Sequence, residues 1–330
     1  MHDLPSRRRF LLSSAISVAA LSMPAVLRAK TPLQGLTFYG PPAGPSITLA
    51  YAVAEGSFSD IAGEVAFKTW RDPDELRAGL TSGTMKVVIM PSNAAANLYN
   101  RGLGVRMVNA MTLGLNYIMT KDPAIKTPAD LRGRSITFPF RNDTPDILLR
   151  RVLAAADVPE NSLKIVNAAT PIEAVQLLLS GRAETAVLPE PATTMAEMRA
   201  LQAGQEVYRA INIQEEWGKI TGLGPVAPQA GLAVMRDFDE ANPGVIEAIQ
   251  SAIEATLPKV IANPMEAAKA AANALGMPAP ILAKSIPHSA LSADRASSLR
   301  PQFEAMYKAV ADVEPRAIGG QLPDDGFYRL

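Results

Sequence analysis

The chain has 330 residues, of which 48% are hydrophobic and 19% charged, enough apolar material for one large core or two smaller ones and too much for a disordered chain. Lys plus Arg and Asp plus Glu each total 32, so the basic excess that a phosphate-backbone binder needs is missing and nucleic acid is excluded as a partner. There is no cysteine, and the only histidines are His2 and His288. Disulfides, thiol catalysis and zinc–thiolate sites are thereby removed, and a His-rich metal site or a Ser-His-Asp triad has almost no material; no metal and no cofactor is expected.

Residues 6–12 read SRRRFLL, and an apolar stretch runs from Phe10 to about Val26, with Pro24, Ala25 and Ala29 at its end. This is the layout of a secretion signal. The placement of Ser6, Arg7, Arg8, Phe10 and Leu11 resembles the twin-arginine signal, whose paired guanidinium groups are read by a translocase. The stretch falls short of the roughly 18 residues of a membrane span and is broken by Ser13, Ser14, Ser17, Ser22 and Pro24. Residues 1–29 are expected to be removed, with cleavage after Ala25 as the alternative. That loss takes away Arg7, Arg8, Arg9 and Arg28 against Asp3 and leaves a mildly acidic, exported chain.

Beyond the signal, a strand opening at Gly35 (GLTFYGPP) leads to a helix over Ser46–Ala54 and a strand over Val65–Thr69. Residues 72–93, DPDELRAGLTSGTMKVVIMPSN, read as helix, tight turn, strand and loop. A helix over Ala94–Arg101 and a strand over Val105–Ala110 follow. The segment LNYIMTKD at 115–122 carries the chain into a second half, where Gly133 opens GRSITFPF. There a helix is expected over Pro145–Ala156 and a strand over Leu163–Val166. Residues 170–191, TPIEAVQLLLSGRAETAVLPEP, then repeat helix, turn, strand and loop, ahead of a helix over Ala192–Ala203 and a strand over Val207–Ile213. The run QAGLAVMRDF at 229–238 carries the chain back. Ala-rich helical stretches at 244–262, 264–275 and 292–312 are expected to pack on the first half.

The two long runs stand 98 positions apart, 72 against 170, without a gap. Asp72 and Thr170 suit helix N-caps, Pro73 and Pro171 the first helical position, and Glu75 and Glu173 the third, which makes a capping box. Ser82-Gly83 and Ser180-Gly181 fit the C-terminal stop. The apolar runs Val87–Met90 and Thr185–Leu188 read as buried strands, each ended by a proline, Pro91 or Pro189. The same offset sets Pro41 against Pro139. Two α/β lobes of related topology with parallel strands are expected.

In open parallel sheets a ligand sits outside the carboxyl ends of the strands, beside helix N-termini. The strand-end loops are YGPPAGPS (39–46), TWRD (69–72), PSN (91–93), PFRNDTPD (139–146) and PEP (189–191). Their candidate ligand-binding residues are Tyr39, Ser46, Trp70, Ser92, Asn93, Arg141, Asn142, Asp143, Thr144 and Glu190. Asn116, Tyr117 and Gln229 at the crossings, and Trp217 in EEWGKITG, are added to them. Asn142 to Pro145 and Ser92-Asn93 read equally as helix caps, and Tyr39 and Trp70 as core. Glu190, between two prolines, reads as an acceptor facing the cleft rather than as a cap. Arg141 beside a helix N-terminus offers an anion site, but Asp143 and Glu190 flank it and oppose a bare anion.

The run DLRGRSITFPFRNDTPDILLRRVLAAADV at 130–158, LLSGRAETAVLPEPA at 178–192 and PSNAAANLYNRG at 91–102, together with the export signal, resemble ABC-transporter substrate-binding proteins of the nitrate, sulfonate and thiamine-precursor group. The resemblance covers most of residues 35–235. It implies a type II periplasmic binding protein: two α/β lobes with parallel-rich sheets joined by a two-segment hinge, with residues 30–116 and 233–330 as lobe 1 and 117–232 as lobe 2. It also implies a periplasmic, monomeric protein that closes over a small polar or anionic solute and docks with a permease and its ATPase. By position, Ser92, Asn93, Arg141, Asn142, Asp143, Thr144 and Glu190 are carried over as cleft residues. Lys86 and Glu184 depart from the family's Asp after the glycine turn, and Pro41, Pro42 and Pro45 make the first loop unusual, so substrate identity is not carried over. The alternatives are an enzyme related to thiamine-precursor synthases of the same fold, which lacks its histidine and cysteine here, and a ligand-binding partner of a receptor.

Overall fold

The computed structural model of the chain describes residues 32–139, 141 and 143–330. The expected signal at 1–29 lies outside the described residues, as does Asn142. From the first described residues, β1 (Leu33–Gly40) runs through a short 3-10 turn into α1 (Ile47–Ala54). It is followed by β2 (Ala62–Thr69), α2 (Pro73–Thr81), β3 (Val87–Pro91), α3 (Ser92–Asn100) and β4 (Val105–Met107). β5 (Asn116–Thr120) opens the second half, followed by β6 (Ser135–Phe138), α4 (Thr144–Ala155), β7 (Lys164–Asn167), α5 (Pro171–Leu179), β8 (Thr185–Pro189), α6 (Ala192–Gln202) and β9 (Tyr208–Asn212). α7 (Ile213–Thr221) leads to β10 (Ala230–Met235), after which come α8 (Arg236–Ala241), α9 (Val245–Ala262), α10 (Pro264–Leu275), α11 (Ala279–Ser285) and α12 (Arg300–Ala311).

The repeated caps form as local chemistry dictates. The Asp72 carboxylate accepts from the backbone amides of Asp74 and Glu75 at 3.0 and 2.9 Å, and the Thr170 hydroxyl accepts from the Glu173 amide at 3.1 Å. The return bonds differ from the expected capping box by one residue. Glu75 accepts from the Arg71 amide and Glu173 from the Ala169 amide, each one position before the cap. Both helices stop at a glycine in the left-handed region, Gly83 at φ 74° and Gly181 at φ 75°, where a Cβ would be strained.

The sheet orders are β2-β1-β3-β10-β4 and β7-β6-β8-β5-β9. β1 pairs in parallel with β2 and β3, and β6 with β7 and β8, whereas β10 is antiparallel to β3 and β4, and β5 to β8 and β9. The sheets are therefore mixed, not parallel throughout. A strand that has just crossed from the other lobe enters at the end where its new neighbours finish, so it must run against them. Gly231 fits this crossing because a Cβ there would stand 2.0 Å from the Asn109 carbonyl oxygen. By sheet membership the second lobe starts at Asn116 and the first resumes at Ala230.

The tail reaches further than expected. α9 and α10 pack on α1, but α11 also meets α6 and α12 meets α4 of the second half. On α12 the spacing Phe303, Met306, Tyr307, Val310 gives one apolar face, and that face joins Met90 of β3 and Leu148 and Val152 of α4 in one buried cluster. The helix expected from 292 begins only at Arg300. Before it, the Ser292 and Ala296 amides donate to the carbonyls of Met111 and Val108. Residues Leu33–Leu330 form one compact unit. Among the described residues no helix is long and apolar enough to cross a membrane.

Candidate functional site

β1, β3 and β8 end, and β5 and β10 begin, around a cavity of about 200 Å³. That is small beside the roughly 300–1,000 Å³ of ligand sites. Three larger hollows, about 520, 550 and 420 Å³, open at α2–α3, beside α4 and beside α9, but each draws its lining from one half of the molecule. In the smaller cavity strand-end loops of both halves converge, which is where sheets of this kind hold ligands.

Its wall is mostly apolar. Pro41, Ala43 and Pro45 come from the loop after β1, Trp70 follows β2, and Pro91, Pro145 and Pro189 stand at three helix entries or strand ends. Proline brings no N–H to satisfy, so these loops present surface without stranded donors. The Trp70 indole N–H donates to the Ile89 carbonyl at 3.0 Å, which fixes the ring, 8% exposed, against the cavity.

Polar groups enter at few points. Asn116 starts β5 and Gln229 precedes β10; the Asn116 Nδ2 donates to Gln229 Oε1 at 2.7 Å, joining the two crossings. Asn116 is 1% exposed, and its Oδ1 has no hydrogen-bond partner among the described residues. The Thr144 hydroxyl, also buried, has none either. Both residues line the cavity. Leaving a buried polar atom unpaired costs about 1–3 kcal/mol, a cost that a bound solute would relieve. Asp143, also on the wall, caps α4 by accepting from the Thr144 amide at 2.7 Å.

Glu190, 1% exposed, lines the cavity, and its carboxylate is already engaged within the protein. Its Oε2 accepts from the Thr194 amide at 3.2 Å and hydroxyl at 2.8 Å in the first turn of α6. Its Oε1 accepts from the Arg209 guanidinium. Burial pushes the Glu190 carboxyl above its ordinary value, and Arg209 and Thr194 oppose that rise. Arg209 also bonds Glu197 at 2.7 and 2.9 Å, and its guanidinium lies 5.1 Å from the centre of the Tyr117 ring.

The structure thus brings Trp70, Asn93, Asn116, Asp143, Thr144, Glu190 and Gln229 to one cavity. The other candidates stand elsewhere. Tyr39 is half-buried against the core, and Trp217 is buried within it. Ser46 donates to the Pro41 carbonyl at 2.6 Å and so closes its own loop. The Ser92 hydroxyl donates to the Pro228 carbonyl at 2.8 Å. The Tyr117 hydroxyl donates to the His288 carbonyl at 2.8 Å and ties the second lobe to the tail. Arg141 turns outward to Glu160 at 2.9 Å and lies over Phe138, so it supplies no cation to the cavity. Arg209 and Thr194 were missed. The signal for Arg209 was a lone arginine in the short strand YRAIN, following the buried PEP turn. Among the described residues no group of three or more His, Asp or Glu side chains is placed to hold a metal ion.

The sequence matches the profile of the family described as NMT1/THI5 like over residues 46–267. No curated protein sequence matches the chain. Among solved structures, an ABC transporter from Parabacteroides distasonis superposes with TM-score 0.75 at 22% identity, covering 90% of this chain and 99% of that one. The periplasmic aliphatic sulphonate binding protein SsuA from Escherichia coli gives 0.69 at 14%, covering 91% and 93%. The periplasmic nitrate-binding protein NrtA from Synechocystis PCC 6803 gives 0.57 at 15%, covering 77% and 70%. At these identities the likeness is one of fold, the type II periplasmic binding protein.

Proposed function

The chain belongs to the NMT1/THI5-like family, and on that premise we propose that it is an extracytoplasmic solute-binding protein. It captures a small polar organic solute in the interlobe cavity and delivers it to an ABC importer, made of a permease and an ATPase. In this reading the protein is exported through the twin-arginine route by residues 1–29, acts in the periplasm as a monomer, and is not an enzyme. The observation that carries it is the cavity itself, built from loops of both halves and lined by two buried oxygens without partners, on Asn116 and Thr144. A solute that pairs with groups from both halves favours the state in which they are together. Against catalysis, the one described histidine, His288, stands outside the cavity, and the Glu190 carboxylate is held by Arg209 and Thr194.

The test is a thermal-shift screen of the mature chain against amines, pyrimidines, amino acids, sulfonates and nitrate. A ligand that binds the native state alone stabilises it by mass action, by about 2.7 kcal/mol at a hundred times Kd, and so raises Tm. One class should give a saturable shift that Asn116→Ala diminishes. No shift with any class, from protein freed of retained ligand by unfolding and refolding, speaks against the reading.

A further inference from the structure

The charges around the cavity have one sign. Among the described residues, no Lys, Arg or His lines it, while Asp143 and Glu190 both do. Arg141 and Arg209 are engaged elsewhere. Arg141 is turned to Glu160. Arg209 answers two carboxylates at once, Glu190 and Glu197, so that cluster keeps an excess of negative charge. Three helix N-termini open beside it, each bringing only about half a positive charge: that of α3 at Pro91 and Asn93 has no side-chain cap, that of α4 at Thr144 is answered by Asp143, and that of α6 by Glu190. A free oxyanion entering this space would lose its water and meet carboxylates with no cation to pair with, which is the costly arrangement.

We infer, resting on the binding reading above, that the cavity takes a small organic cation, an ammonium or amidinium group on a compact apolar body, and rejects free oxyanions. The cation would pair with Asp143, offer N–H donors to the unpartnered Asn116 Oδ1 and Thr144 Oγ1, and lay its body against Trp70 and the proline wall, where an indole face attracts positive charge. Nothing in this selection uses Arg141.

A matched pair of probes isolates the sign of charge: benzylammonium and phenylmethanesulfonate, with nitrate as a third, titrated calorimetrically into the refolded, ligand-free chain at neutral pH up to about 10 mM. The cation is expected to bind at least about 100-fold more tightly than either anion. Asp143→Asn, which keeps a good helix cap, is expected to weaken the cation by about 5-fold or more, leave Tm in place and leave the anions unchanged. Equal or tighter binding of phenylmethanesulfonate or nitrate overturns the charge assignment while keeping the binding-protein reading. Binding of none of the three overturns the cation assignment while the binding-protein reading is decided separately by the thermal-shift screen, and an Asp143→Asn variant that holds the cation at full strength overturns the role given to that carboxylate.

Discussion

The side-chain amide of Asn116 donates to Oε1 of Gln229 at 2.7 Å, across the two places where the chain passes between its sheets. Any motion that separates the lobes must pass through these crossings, and the bond lies on the cavity wall. Asn116→Ala removes both the bridge and the unpartnered acceptor, so it is expected to weaken ligand binding by about 10-fold or more. A double-mutant cycle with Gln229→Ala, read by titration calorimetry, should give a coupling of about 0.5–3 kcal/mol. Strict additivity would mean that the bridge does not contribute to binding.

Arg209 and Glu190 form a buried pair, with the arginine side chain 14% exposed and the glutamate fully enclosed. Removing one partner leaves the other charge uncompensated. Arg209→Met is expected to lose about 3–5 kcal/mol in urea unfolding, and adding Glu190→Gln should recover part of it. A single variant as stable as the parent would contradict the pairing.

The pH response of Glu190 has a definite sign. Burial raises its carboxyl above the ordinary 4.5, with Arg209 and Thr194 opposing. The native state then keeps a proton that the unfolded chain has released. Its contribution is full below the unfolded value and is lost as pH rises through the folded one. Unfolding free energy of the parent minus that of Glu190→Gln should therefore fall on going from about pH 4 to neutrality. A difference that rises over this window would contradict the raised value.

Arg141 is the contrasting case. Its guanidinium pairs with Glu160, both side chains being more than a third exposed, so that pair contributes at most about 1 kcal/mol; it also stands 3.9 Å from the buried Asp146 carboxylate, which Arg150 holds more closely at 2.9 Å. Arg141→Ala is expected to leave affinity within about 2-fold and Tm nearly in place. A large loss of affinity would put the cation back at the site.

What the sequence disclosed was local chemistry. Asp72-Pro73 and Thr170-Pro171 announced their helices because a cap and a fixed φ act within four residues, and the 98-position offset exposed two halves that the sheet orders repeat. The loops at Trp70, Asn93, Asp143 and Glu190 were found because strands of known direction must end somewhere. The partners were hidden. Glu190 looked free and Arg141 looked like the cleft cation, but each is answered by a residue nineteen positions away, Arg209 and Glu160. Those distances are set by tertiary packing, not by spacing. The tail misled in the same way: Ala-rich periodicity gave a helix from 292, but the backbone at Ser292 and Ala296 bonds the loop after β4.

The most direct test of a solute site between the lobes is calorimetric titration of the first ligand class that raises Tm, into the parent and into an Asn116→Ala, Asp143→Asn double variant whose apo Tm matches it. The account predicts one site per chain in the parent and at least about 50-fold weaker binding in the variant, about 2.3 kcal/mol. Undiminished affinity in the variant would place the ligand elsewhere, in one of the outer hollows at α2–α3, α4 or α9, and would contradict the assignment.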